Sequence, residues 1–135
     1  MIGATKVDQE RLSERIADYQ NAVLQLEKAL NRPYDEFIRD SVFQRFEFTY
    51  ELGWKMLKLK LESEAVDAKT PKQVLQEALQ AGLIADGNAW SSMQRQRNLT
   101  AHTYDEKLAI SVYEFVASDG IALFTSLAEL SRSWH

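Results

Sequence analysis

The sequence predicts an all-α fold, an up-and-down four-helix bundle with one additional short helix. Three observations support this prediction. Apolar residues recur at helical spacing along most of the 135 residues, glycine and proline are scarce, at five and two, and no alternating strand pattern persists. The connections between the predicted helices are short enough to make them antiparallel neighbours. The chain is expected to form a single helical domain over residues 1–135.

The first two predicted helices each carry an apolar stripe. The first helix ends at the sequence NRP, because Pro33 disfavours a helical conformation in the residue before it. The aromatic residues of the second stripe are predicted to lie in the core rather than to stack on a base. The stripes consist of Leu12, Ile16, Tyr19, Val23, Leu26 and Leu30 in the first helix, and of Phe43, Phe46, Tyr50, Trp54, Leu57 and Leu61 in the second.

N-cap residues mark the starts of the remaining three helices. Thr70 is followed by Pro71 at the first helical position and by Gln73, which completes a capping box. Asp86 and Asp105 are predicted to cap the fourth and fifth helices in the same manner. The third helix therefore stops before residue 86, near the glycine at position 82.

The fifth predicted helix is the most apolar. Gly120 lies inside its stripe and weakens the helix by about 1 kcal/mol relative to alanine. No apolar run approaches the roughly 20 residues of a membrane span, so no membrane partner is expected. The stripe consists of Leu108, Val112, Phe115, Ala122, Leu123, Leu127 and Leu130.

The composition predicts a cytoplasmic protein. The absence of cysteine excludes disulfides, thiolate chemistry and cysteine-ligated zinc, and the N-terminal MIGATKVDQE lacks the apolar segment of a signal peptide. The formal net charge of −4 excludes a broad basic surface for coating nucleic acid. Any nucleic-acid chemistry must therefore use a small local site, and the acidic balance also suits a basic protein partner.

The stretch RNLTAHTYDE, residues 97–106, holds one of the two histidines; the other, His135, is the last residue. Each residue of an ideal helix turns by about 100°, so Arg97 and His102 would point about 140° apart. They can share a substrate atom only if the helix breaks near residues 98–100, or if a second copy supplies the matching group. One histidine makes a poor metal site, and no metal or cofactor is expected.

Two interpretations of this stretch remain open on spacing alone. Neutral imidazole takes up a proton near pH 7, and guanidinium binds phosphate oxygens. RNA supplies its own nucleophile, the 2′-hydroxyl, so a metal-free ribonuclease needs mainly an acid, a base and an anion clamp. In the plainer interpretation Arg97 pairs with a glutamate, Asn98 and Thr100 end a helix, and His102 packs in the loop.

The letters RNLTAHTY read as R-N-x-x-x-H-x-Y, which resembles the signature of the HEPN superfamily. Taken with FQRFEFTYELGWKMLK, TPKQVLQEA and GLIAD, they are similar to its nucleotidyltransferase substrate-binding protein branch, from about residue 10 to about residue 130. That branch includes HepT-like toxins paired with a minimal nucleotidyltransferase. Other members are named only as substrate-binding partners.

The resemblance implies a homodimer in which the motifs of both subunits face one cleft. Arg97 then matches the residue that holds the scissile phosphate, and Asn98 the polar residue that helps to position it. His102 matches the acid or base of metal-independent RNA cleavage. Tyr104 matches the tyrosine that a partner nucleotidyltransferase modifies with AMP in the toxin branch.

Four further residues are candidates for lining the cleft: Arg45, Glu47, Glu51 and Trp90. Glu47 and Glu51 are one turn apart and share a helix face, from which their carboxylates could orient Arg97 or His102. The alternative for the glutamates is surface ion pairing, for example between Glu51 and the lysine at position 55. The alternative for Trp90 is packing in the core.

Two functions follow as hypotheses. The first is a metal-independent endoribonuclease toxin that acts through Arg97 and His102 at a dimer cleft. The second is a non-catalytic subunit that binds a nucleotide or another substrate for a separate nucleotidyltransferase. The intact R-N-x-x-x-H-x-Y motif favours the first, and the acidic net charge slightly favours the second.

Overall fold

The computed structural model describes residues 6–134, which form helices and, within that range, no strand. Residues 1–5 and His135, on which some of the sequence expectations fall, lie outside the described part. The all-α helical class is confirmed. The elements are α1 (Lys6–Leu30), α2 (Glu36–Ser63), α3 (Pro71–Gln80), α4 (Gly87–Leu99), a 3-10 turn (Thr100–His102), α5 (Glu106–Phe115), a π turn (Val116–Gly120) and α6 (Ile121–Ser131).

The core is centred on Phe124 of α6, which is fully buried. The ring of Tyr19 from α1 meets it edge-on at 6.4 Å, and the Tyr19 hydroxyl donates a hydrogen bond to the Phe124 carbonyl oxygen at 2.8 Å. Phe46 from α2 and Trp90 from α4 lie against the same ring at 5.8 Å and 6.0 Å. One aromatic residue therefore joins four helices, and burial of large rings supplies much of the favourable free energy.

The three predicted N-caps are confirmed. Each accepts a backbone hydrogen bond from the residue three positions on, at 3.2 Å for Thr70, 3.0 Å for Asp86 and 3.2 Å for Asp105. The Gln73 side chain accepts from the backbone N–H of Lys69, one residue before the cap, so this capping box closes outside the helix. The caps at residues 86 and 105 fix where α4 and α5 begin, before and after the R-N-x-x-x-H-x-Y motif of residues 97–104.

The predicted fifth helix is continuous from Glu106 to Ser131 except for the π turn. By length and composition alone this helix could cross a membrane, with a mean hydropathy of 1.4 over its most apolar window, so the expectation that no segment is apolar enough was wrong. A core helix meets the same two criteria. The helix supplies Ala109, Val112, Val116, Phe124, Leu127 and Ala128 to the core.

A bidentate ion pair joins the start of α2 to the start of α5. The buried Arg39 donates to both carboxylate oxygens of Glu106, at 2.6 Å and 3.1 Å, and to the hydroxyl of Tyr34 at 3.3 Å. The Arg39 guanidinium holds the pKa of Glu106 below its ordinary value of 4.5. Because Glu106 lies two residues after Tyr104, the last residue of the R-N-x-x-x-H-x-Y motif, this pair anchors the C-terminal side of the turn that carries His102.

Candidate functional site

Arg97 lies in the last turn of α4 and faces two carboxylates of α2. Its Nη1 is 3.1 Å from Oε2 of Glu47, and its Nε is 3.8 Å from Oε1 of Glu51. The two glutamates are one turn apart on α2, as their spacing predicted, and they lie on either side of the guanidinium. The ion pairs are about one-third exposed. They are therefore screened by solvent and open to exchange with another anion.

Glu51 is itself held by a neighbour on its own helix. The indole Nε1 of Trp54 donates to Oε2 of Glu51 at 3.0 Å, while Oε1 faces Arg97. The sequence alternative, in which Glu51 pairs on the surface with Lys55, is not the arrangement in the structure. The contact that joins Glu47 and Glu51 to Arg97 is the one that the resemblance suggested.

The helix breaks immediately after Arg97. α4 ends at Leu99, and the Thr100 hydroxyl donates to the Arg97 carbonyl oxygen at 2.7 Å and accepts from Arg97 Nη1 at 3.4 Å. The chain then makes the 3-10 turn that contains His102. The α-helix therefore ends within residues 98–100, as the first of the two predicted routes requires, so the ideal α-helical angle between Arg97 and His102 does not apply.

His102 and Tyr104 lie exposed beyond the break. Tyr104 is 85 % exposed, its Oη is 3.4 Å from Nδ1 of His102, and the two rings meet edge-on at 5.9 Å. Asn98 is also exposed, on the last turn of α4. Within residues 6–134 no hydrogen bond or ion pair joins Arg97 to His102. One chain therefore brings Arg97 to the glutamates of α2 and His102 to Tyr104.

Two buried polar atoms beside Arg97 have no hydrogen-bond partner, Nε of Arg97 itself and Oη of Tyr50. Burial raises the pKa of Tyr50 to about 12; the carboxylate of Glu51 adds to the increase and the Arg97 charge opposes it. The hydroxyl therefore stays protonated near neutral pH. Sequence reasoning placed Tyr50 correctly in the core but missed its polar end; a tyrosine directly before Glu51 was the only signal.

The remaining cleft candidates, Trp90 and Arg45, lie in different places. Trp90 is 3 % exposed and packs against Phe124, so the core alternative is the one in the structure. Arg45 is half-buried, and its Nε donates to Oγ of Ser41 at 3.1 Å. Arg45 and Glu51 both line a groove of about 490 Å³ at the surface of α1 and α2. Of these two residues only Glu51 contacts Arg97.

The site holds an anion-binding group at Arg97 and an acid–base group at His102, in two separate places. A guanidinium flanked by exchangeable carboxylates can bind a phosphate, and an exposed imidazole can act as a general acid or base. Across residues 6–134, no three histidine, aspartate or glutamate side chains form a group that could hold a metal ion. The same contacts also satisfy the plainer interpretation of the motif, in which Arg97 pairs with glutamate and ends its helix.

Solved structures share the fold. A crystal structure from Thermus thermophilus matches with a TM-score of 0.72 and 30 % identity, over 84 % of this chain and 95 % of the other. A Haemophilus influenzae structure, described as revealing the fold of a substrate binding domain of a nucleotidyltransferase, matches with a TM-score of 0.66 and 30 % identity. That match covers 93 % of this chain and 99 % of the other.

Sequence comparison gives the family. The protein named Probable ribonuclease HepT from Haemophilus influenzae is 44 % identical over 75 residues, which are 52 % of this chain. The match spans 51 % of that relative, about half of its length. The family model described as "Nucleotidyltransferase substrate binding protein like" matches residues 14–132, which include every candidate site residue. This chain belongs to the nucleotidyltransferase substrate binding protein-like family.

Proposed function

We propose that this chain is a metal-independent endoribonuclease of the toxin type, kept in check by a separate nucleotidyltransferase in the cytoplasm. The observation that carries the proposal is the break of α4 at Leu99. It leaves Arg97 held beside α2 and turns His102 outward on an exposed 3-10 turn. The name of the Haemophilus influenzae relative, a probable ribonuclease, supports the same reaction class.

In the proposed reaction Arg97 binds non-bridging oxygens of the scissile phosphate. The phosphate replaces the carboxylate of Glu47 at the guanidinium, and the two glutamates preorganise the side chain for this exchange. The RNA 2′-oxygen attacks phosphorus as its proton passes to an imidazole, and the 5′-oxygen leaves as it takes a proton from an imidazolium. The products are a 2′,3′-cyclic phosphate and a free 5′-hydroxyl, so this step consumes no water.

A homodimer completes the proposed site. The reaction needs one base and one acid, whereas each chain supplies one histidine in the motif. Two copies related by a two-fold axis would present two His102 imidazoles and two Arg97 guanidiniums to one cleft. The exposure of His102, and the absence of a direct contact with Arg97 within residues 6–134, support the need for a second copy.

Tyr104 is the proposed site of control. Its hydroxyl is exposed to a partner enzyme and lies 3.4 Å from Nδ1 of His102. Transfer of AMP from ATP to this oxygen, with pyrophosphate leaving, would place a bulky phosphodiester beside the imidazole. A negative charge there would repel the RNA phosphate and obstruct His102, so modification would silence the nuclease.

The alternative function is a non-catalytic subunit that binds a nucleotide or another substrate for its nucleotidyltransferase. The family description favours it, as does the description of the Haemophilus influenzae structure. In that case Arg97 would bind the phosphate of a ligand that is modified elsewhere, and His102 would not transfer a proton.

The test is cleavage of labelled tRNA and mRNA in EDTA by the purified wild type, Arg97→Ala and His102→Ala. Arg95→Ala serves as a matched control, because Arg95 is exposed on the same helix two residues away. Cleavage by the wild type and the control, but not by the other two variants, supports the nuclease. If the wild type does not cleave RNA although mass spectrometry shows Tyr104 to be unmodified, the substrate-binding alternative replaces the nuclease proposal.

A further inference from the structure

A groove along α1 and α2 has a composition that the reaction at Arg97 does not use. Two adjoining cavities, of about 490 Å³ and about 250 Å³, share Gln25 and Arg45 and so form one continuous depression. The larger is lined by Asp18, Asn21, Ala22, Gln25, Arg45, Phe48, Glu51 and Leu52, and the smaller by Gln25, Lys28, Ala29, Arg32, Ile38, Ser41 and Arg45.

The smaller cavity is basic on a protein that is acidic. Lys28, Arg32 and Arg45 line it, no carboxylate does, and the chain as a whole has a formal charge of −4. Within the described part of the chain none of these three cations takes part in an ion pair. Unneutralised cations along a concave surface raise the local positive potential and attract a polyanion.

The larger cavity adds an aromatic surface and amide groups. Phe48 is 57 % exposed, whereas Phe43 and Phe46 of the same helix are buried. An exposed aromatic face stacks on any unpaired base, and side-chain amides such as those of Asn21 and Gln25 can donate to and accept from base edges. Cations next to an aromatic residue are the combination with which proteins bind single-stranded nucleic acid.

The groove is continuous with the candidate site through Glu51. This residue lines the larger cavity and places its Oε1 3.8 Å from Nε of Arg97. A strand lying in the groove would therefore pass from the cations of the smaller cavity, over Phe48, to the guanidinium that the proposed reaction assigns to the scissile phosphate. Asp18 and Glu51 line the larger cavity, so the backbone phosphates are assigned to the cations of the smaller cavity and the larger cavity is assigned to a base. With that division, charge and continuity favour one occupant, a single RNA strand.

We propose that this groove binds the RNA segment flanking the scissile phosphate, with backbone phosphates at Lys28, Arg32 and Arg45 and an unpaired base stacked on Phe48. The proposal rests on the proposed function in taking RNA as the ligand. It assigns the protein a preference for single-stranded over duplex RNA, because a base paired in a duplex cannot stack on a side chain from the groove.

The test measures binding apart from cleavage. The full-length chain carrying His102→Ala is titrated against a fluorescent single-stranded RNA of about ten nucleotides, long enough for one such site. In this background, combined Lys28→Gln, Arg32→Gln and Arg45→Gln should weaken binding at least tenfold. The slope of log affinity against log salt should fall by about 2, the value for three lost phosphate contacts to a single strand. Phe48→Ala should weaken binding about fivefold or more without changing that slope.

The control is a second triple variant, Lys69→Gln, Lys72→Gln and Arg132→Gln, which makes the same charge change at exposed cations that do not line the groove. An equal loss of affinity in this control would overturn the proposal, as would unchanged binding in the groove variants or equal affinity for duplex RNA. Arg45→Lys in an otherwise intact groove should retain most of the affinity and the salt slope.

The outcomes separate this proposal from the nuclease. If RNA binding depends on the groove residues but the wild type does not cleave RNA in EDTA, the groove proposal is supported and the nuclease proposal is contradicted. Cleavage that is insensitive to the groove variants does the reverse. If Phe48→Glu changes the molecular mass in solution while RNA affinity stays the same, the groove contacts a second copy or another protein rather than RNA, and the proposal fails.

Discussion

The two halves of the candidate site are supported differently. The Arg97 half is part of the helix packing, because Glu47 and Glu51 of α2 flank the guanidinium and Trp54 holds Glu51. The His102 half lies on a short exposed turn, and among residues 6–134 the hydrogen bond and the ring contact of the His102 side chain are both with Tyr104. The fold thus fixes the position of Arg97, the proposed anion-binding group, while His102, the proposed proton-transferring group, is left accessible to another molecule.

The difference matters because the proposed function gives the two halves different tasks. A group that stabilises charge works best when its position is fixed before the substrate arrives. A group that meets a second protomer, and that a nucleotidyltransferase must reach through Tyr104, has to lie on the surface. Mutations should accordingly have different consequences in the two halves, affecting stability together with activity in one and activity alone in the other.

The largest expected effect is the loss of cleavage in His102→Ala. Removal of a general acid or base costs about 10²–10⁴-fold in rate. Because the side chain is exposed, the free energy of unfolding should change by no more than about 0.5 kcal/mol. Single-turnover cleavage of labelled RNA and urea denaturation measure the two quantities. A large loss of stability would show that the His102 half is built like the Arg97 half.

Arg97→Ala should reduce cleavage by a similar order, about 10²–10³-fold, and should also affect the fold. Without the guanidinium, Glu47 and Glu51 face each other one turn apart, and the loss of these partly exposed pairs should cost about 1 kcal/mol or less. The double substitution Glu47→Gln, Glu51→Gln is made both in the wild type and in Arg97→Ala. It should relieve the repulsion between the two carboxylates only in Arg97→Ala, where the guanidinium is missing. Additive stability changes in this cycle would contradict the coupling.

Much of the fold followed from local sequence signals, whereas the support of each half of the site did not. The stripes and the N-caps at residues 70, 86 and 105 depend on neighbours three or four positions apart, so the sequence displays them directly. The stretch TAHTYD contains no glycine or proline, and only Asn98, Thr100 and the cap at Asp105 indicated that a helix ends near it. The pairing of Arg39 with Glu106 spans 67 positions, and both residues look like ordinary surface charges in the sequence.

Arg39→Ala should selectively disturb the His102 half. The variant releases Glu106 and Tyr34, so the turn between α4 and α5 loses its anchor on the C-terminal side. Cleavage should fall by up to about 100-fold through misplacement of His102, and hydrogen exchange should increase at residues 103–107 but not at 94–97. Arg11→Ala, at an exposed position of α1, is the matched control. Uniform exchange along α4 and α5 would show that both halves share one anchor.

The same pair predicts an acid dependence of stability. Arg39 lowers the pKa of Glu106 in the folded protein below the ordinary 4.5 of the unfolded chain. Its contribution is therefore fully present above pH 4.5 and is lost as the pH falls through the lowered value. Glu106→Gln should remove this part of the pH dependence, as followed by thermal unfolding across the acidic range. Identical acid profiles for the variant and the wild type would exclude a role for the pair.

The smallest expected effect is that of Tyr50→Phe in the Arg97 half. The hydroxyl is buried without a hydrogen-bond partner, so its removal deletes no bond and spares the cost of desolvating it. Stability near neutral pH should be unchanged or should rise by up to about 1 kcal/mol.

The variant should differ from the wild type mainly at high pH. Burial raises the folded pKa of Tyr50 from 10.0 to about 12. Ionisation of Tyr50 therefore leaves the free energy of unfolding unchanged below pH 10 and lowers it as the pH rises from 10 through about 12. Tyr50→Phe should flatten this part of the alkaline profile, whereas Tyr104→Phe, at an exposed residue, should leave it unchanged. A loss of stability at neutral pH in Tyr50→Phe would instead show that the hydroxyl does bind a group beside Arg97. The Arg97 half would then have a third support besides the two glutamates.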